Sequence, residues 1–205
     1  MESSLLDMPL VADILAKLRR DLPKNLCYHA AQHTEDVLEE ALHFAAHDNL
    51  DKRQRELLTI AAAYHDAGFL DGSTETEARA AQMARDAMQL QGSYKSEEID
   101  LVEQMILDTR LVRVGANYGQ VASTFLSGYL LDGDLSNLGR DDFVEKLELV
   151  RREIGVDTRT FLNGTLLLMQ GHQWYSPAAK VLRAAKKAEN LIKLQQMMAA
   201  DREQA

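Results

Sequence analysis

Apolar residues recur at three- and four-residue spacing along nearly the whole chain, as in Val11, Ile14, Leu15 and Leu18 and again in Val37, Leu38, Ala41 and Leu42. That period turns one face of a helix toward a core, whereas the alternating β-branched and aromatic runs that strands need are essentially missing. The expected fold class is therefore all-α. Prolines and glycines such as Pro23, Gly68, Gly92, Gly139, Gly155 and Pro177 interrupt the pattern where helices stop. They predict a bundle of about nine helices, over 8–20, 30–48, 51–67, 75–90, 96–109, 121–138, 141–154, 158–171 and 177–201. The segment from Leu111 to Gln120 reads as the one longer irregular loop, of the kind that can border a site. In the last helix Val181, Leu182, Ala185, Ala188 and Ile192 are expected to share an apolar face that packs on the domain or on a second copy, so a homodimer is compatible with it.

At 205 residues the chain suffices for one sizeable core, and a single domain over 1–205 is expected. A net charge of -9 provides no overall positive field, which argues against sequence-independent binding to duplex nucleic acid or to an anionic membrane. No uninterrupted apolar run matches a signal peptide or a bilayer span, and Cys27, the only cysteine, has no partner in the chain for a disulfide. A cytoplasmic location is the expectation.

Three stretches carry chemistry. In YHAAQHT, His29 and His33 stand four apart at the start of an expected helix, so both can address one site; capping, solvent exposure or a satisfied core position fits such a pair equally well. The run LLTIAAAY is almost wholly apolar and ends directly in His65-Asp66. A carboxylate delivered out of a core needs a compensating charge, from a cation or from a hydrogen-bonded His or Arg partner. In LLDGDLSNLG, Asp132 and Asp134 interrupt another apolar helix, and their spacing lets only one of them face a given ion.

Taken in order, His33, the adjacent His65-Asp66 and a later aspartate resemble the ligand series of the HD superfamily of metal-dependent phosphohydrolases. The blocks HTEDV, AAAYHDAGF and LLDGDLSNLGRDDF carry the resemblance over about residues 28–143, and FLNGTLLLMQGHQWYSPAA resembles the helical carboxy-terminal extension of one subgroup, here 144–205. The resemblance implies an HD-like core with an amino-terminal helix and that extension. It implies His33, His65, Asp66 and Asp134 as metal ligands, with Asp132 as the alternative because Gly133 replaces the family's usual alanine. Two imidazoles and two carboxylates suit one divalent ion, Mn, Fe, Co, Ni, Zn or Mg, without choosing among them.

The implied reaction is cleavage of a phosphate ester of a small molecule, nucleotides included, by a metal-activated water. Asp66 and Glu77 are the catalytic candidates, and His29, Arg110 and His172 are the substrate-binding candidates. Each has a plainer alternative: Glu77 as a first-turn helix acid, Arg110 as an ion-pair partner of Asp108 or Glu103, His172 as a satisfied residue at a helix end. No histidine lies between His65 and His172. The extra ligands of binuclear and oxygen-activating relatives are thus missing, unless Glu75, Glu77 or Asp108 recruits a second ion. A metal- or nucleotide-binding sensor with little turnover is the alternative function.

Overall fold

In the computed structural model, which describes residues 3–203, the chain is built almost entirely of helix. A single turn, α1 (Ser3–Leu6), precedes α2 (Pro9–Asp21), α3 (Ala31–His47), α4 (Lys52–Tyr64), α5 (Thr76–Gln91) and α6 (Ser96–Leu107). A two-stranded hairpin, β1 (Val112–Val114) and β2 (Asn117–Gly119), leads into α7 (Phe125–Asp134), α8 (Phe143–Ile154), α9 (Thr158–Gly171) and α10 (Pro177–Glu203). The all-α expectation holds, with nine helices longer than one turn among the described residues.

The helix starts follow local chemistry. Asp51 and Gln54 form a reciprocal capping box at α4, and the side chains of Thr124 and Asp157 accept from backbone N–H groups at α7 and α9. The centre is α4, whose residues from Leu57 to Tyr64 are all buried. Both α3 and α7 pack against it, and one apolar cluster runs from Leu10 to Leu194. Burial of each large side chain there contributes about 1.5–3 kcal/mol before the entropy of ordering is subtracted.

Four expectations change. The segment 111–120 is an antiparallel hairpin pairing Val112 with Gly119 and Val114 with Asn117, not an irregular loop. The alternation of Val112 and Val114 and the positive φ of Gly115 (63°) suffice for a short hairpin that a search for long strands passes over. The helix expected over 121–138 begins only at Phe125, because Ser123 is tied to Asp108, and it tightens into a 3-10 turn over Ser136–Gly139. Likewise α4 stops at Tyr64, and a 3-10 turn covers Ala67–Asp71.

The buried face of α10 is rotated from the expected one. Ala178, Ala179, Asn190 and Leu194 are buried, while Val181 and Ile192 are exposed. Polar anchors set that rotation: Asn190 Nδ2 donates to Leu138 O (3.0 Å) and Arg140 O (2.8 Å), and Arg183 forms a two-pronged pair with Glu40 on α3. No helix among the described residues is long and apolar enough to cross a membrane.

Candidate metal centre

Three helix ends bring the polar cluster together. His33 projects from the first turn of α3, His65 caps the carboxy end of α4, Asp66 opens the following 3-10 turn, and Asp134 is the last residue of α7. Close packing of α7 on α3 depends on Gly133, where a Cβ would lie 3.0 Å from both Val37 O and the Ala41 methyl. Gly133 thus sits where the helices that carry His33 and Asp134 touch.

His33 and His65 are buried at 5% and 1% exposure. Their Nε2 atoms face each other at 3.4 Å. Asp66 Oδ2 lies 3.2 Å from His65 Nε2 and 3.4 Å from His33 Nε2, and Asp134 Oδ1 lies 3.1 Å from His33 Nε2 and 3.8 Å from His65 Nε2. Ligand atoms of His33, His65 and Asp66 all fall within 4.8 Å of one another, so this group could hold a metal ion.

Two details favour an ion over a self-sufficient hydrogen-bond network. His65 Nδ1 donates to Ala62 O at 2.7 Å, which in the neutral ring leaves Nε2 as a lone pair aimed at the cluster. Asp66 Oδ2 is buried and faced only by the two imidazole Nε2 atoms, which with neutral rings of this tautomer give it no donor, a costly arrangement that a cation relieves. Without an ion, protons take over part of that task. Burial works against charge on His65, but Asp66 and then Asp134 outweigh it and push the imidazole up to about 9. Burial also opposes ionisation of Asp66 and Asp134, yet the histidines hold both carboxyls below the usual range.

Asp132 is elsewhere. Fully buried on the opposite side of α7, it accepts from Tyr175 N (2.9 Å) and Ser176 N (2.7 Å) and so fixes the entry to α10. Burial raises its pKa to about 6 despite those bonds.

The cluster opens into a cavity of about 630 Å³. His29, Asp66, Glu77, Arg110 and Asp134 line it; His172 does not. His29 precedes α3 rather than riding on it, because Glu153 of α8 accepts from the backbone N–H groups of Tyr28 (2.7 Å) and His29 (3.1 Å) and pairs with the His29 ring. Burial opposes the His29 charge, but Glu153, Asp66 and Asp134 together more than offset it, so the pKa is raised. Arg110 donates to Glu75 (2.8 Å) and lies 3.5 Å from Glu77, rather than pairing with Asp108 or Glu103. Asp108 is committed to Ser123 N and Oγ, at 2.8 and 2.6 Å. His172 packs edge-on against Trp174, 4.3 Å between ring centres, outside the cavity wall.

Sequence reasoning missed Gln120 and Glu153. Gln120 Nε2 donates to Asp134 Oδ2 (2.6 Å) and to Thr109 O (2.7 Å), holding the carboxylate with Oδ1 turned toward the histidines. Its place at the end of the glycine-bounded 111–120 segment was the available signal. Glu153 gave none, since its partners lie 124 and 125 positions away. No family model and no curated protein matches this chain.

Proposed function

We propose that this chain is a metal-dependent phosphohydrolase of the HD type, cleaving a phosphate ester of a small molecule with one divalent ion held by His33, His65, Asp66 and Asp134. The observation that carries the reading is the convergence of two imidazole Nε2 atoms on two carboxylates, Asp66 and Asp134, that line one end of a ligand-sized cavity, with Asp66 Oδ2 buried and faced only by those imidazoles. A divalent ion, when bound, supplies Lewis acidity, bringing the pKa of water toward neutrality and polarising a phosphoryl oxygen. The set suits Mn, Fe, Co, Ni, Zn or Mg.

The chain's own groups do the rest. Arg110, on the cavity wall, presents a planar fork of donors to phosphate oxygens, and Glu75 and Glu77 hold that fork in place until an anion arrives. His29, whose ring pairs with Glu153 and whose pKa is raised against burial by Glu153 and Asp66, is a second candidate phosphate contact on the cavity wall. Asp66 and Glu77 are the carboxylates placed to take a proton from the attacking water.

A second reading, a metal- or nucleotide-binding module with little turnover, is favoured by one observation. Arg110 is the only lysine or arginine in the cavity lining among the described residues, and two glutamates already engage it. The test is phosphate release from a panel of nucleotides and other phosphate esters by protein loaded with each metal in turn. Metal-dependent release, lost in His65→Ala, is expected. Folded, metal-loaded protein that releases phosphate from nothing in the panel overturns the hydrolase and favours the binding module.

A further inference from the structure

The far wall of the cavity comes from α8 and α9 and is mainly apolar, with Thr160 and Thr165 of α9 as its polar side chains. Leu147, Val150 and Ile154 on α8 and Phe161, Gly164 and Leu168 on α9 follow helical spacing, so each helix gives the cavity one continuous stripe. No charged residue of either helix lines it. At Gly164, near the middle of α9, an added Cβ would meet nothing within 4 Å outside its own helix, so open space lies beside the stripe.

Charge is confined to the other end. His29 and Arg110 stand there beside the carboxylates of Asp66, Glu77 and Asp134. Among the described residues Arg110 is the only lysine or arginine in that lining, so this end offers one fixed cation, beside an ion in the cluster, for a single phosphate group. The rim is apolar as well: Leu111 and Tyr118 line the cavity at 51% and 42% exposure, and the adjoining Val112, Val114, Val121 and Phe125 are also exposed. Exposed apolar side chains beside a cavity within the usual ligand range of about 300–1,000 Å³ are a common feature of recognition surfaces.

We infer that the cavity takes a phosphomonoester of an apolar alcohol, with its phosphate at the His–Asp end and its hydrocarbon chain along α8 and α9. This inference rests on the phosphohydrolase reading and narrows its substrate. In hydrolysis the P–O bond to the alcohol breaks and a P–O bond to the water oxygen forms. A proton from water ends on the leaving oxygen, giving alcohol and inorganic phosphate with no oxidant or reductant. The unpartnered acceptors Gln120 Oε1 and Asn137 Oδ1, both on cavity-lining residues, find donors in a hydroxyl or in water retained beside the head group.

The test is calorimetric titration of metal-loaded protein with methyl-, butyl- and octylphosphonate below their aggregation limits, with AMP for comparison. Affinity is expected to rise about two- to fourfold per methylene. In Gly164→Leu that rise should collapse while the metal stays bound; the substitution replaces a helix-interior glycine with a better helix former, so the fold is not at risk. Affinity independent of chain length, or AMP bound more tightly than octylphosphonate, overturns the inference. Chain-dependent binding without phosphate release from octyl phosphate upholds the ligand class and removes the hydrolase reading. Release from short esters with no chain-length dependence does the reverse.

Discussion

His65 carries the sharpest residue-scale consequence. Its imidazole, raised to about 9 by Asp66 and Asp134 against the pull of burial, holds a proton at neutral pH when no ion is present. A metal binds the neutral ring, so each ion taken up below that pH displaces the proton. Apparent metal affinity should therefore climb about tenfold per pH unit through neutrality on this account and level off near 9. Metal-ion titrations across pH, read beside the His65 ring resonances in metal-free protein, check this; affinity flat from pH 6 to 9 would contradict it. The sign for folding runs the other way. The share of metal-free stability that comes from the charged His65 is fully present below the free-histidine value of 6.5 and is lost as pH rises through about 9. From the sequence, the Asp132–Asp134 pair was legible only as a choice. The partners that occupy Asp132 lie 43 and 44 residues downstream, beyond any local pattern.

At the scale of elements, the hairpin is a working part of the cluster. It delivers Gln120, whose amide fixes Asp134 at 2.6 Å, and its seat on α9 requires Gly171, where a Cβ would lie 2.1 Å from Tyr118 O. Partners that orient ligating carboxylates typically matter by about 10–100-fold in metal affinity. Gln120→Ala is accordingly expected to weaken metal retention by roughly that factor with thermal unfolding of the metal-free chain little changed, as competition against a chelator measures. Retention equal to wild type would remove the positioning role. The long helices were readable because their apolar period is strong, and the run from Leu57 to Tyr64 announced a buried helix that ends in chemistry. The hairpin was not, since three-residue strands are too short for alternation to stand out. Nor was the facing of α10, which polar anchors at Arg183 and Asn190 set against the apolar pattern of Val181 and Ile192.

For the whole molecule, one apolar core holds three helix ends in register so that their last or first residues meet, while α8, α9 and the hairpin wall the space in front of them. Retaining two buried carboxylates and two imidazoles at one point costs stability unless a cation compensates them. The account therefore stands on metal occupancy. The most direct measurement is the metal content of protein purified without chelator and then equilibrated with divalent ions, for wild type, His65→Ala, Asp134→Ala and Asp132→Asn. About one ion per chain is predicted in wild type and Asp132→Asn. Loss is predicted in His65→Ala and Asp134→Ala. Well-folded wild-type protein that retains no divalent ion, or equal retention in all four proteins, would contradict it.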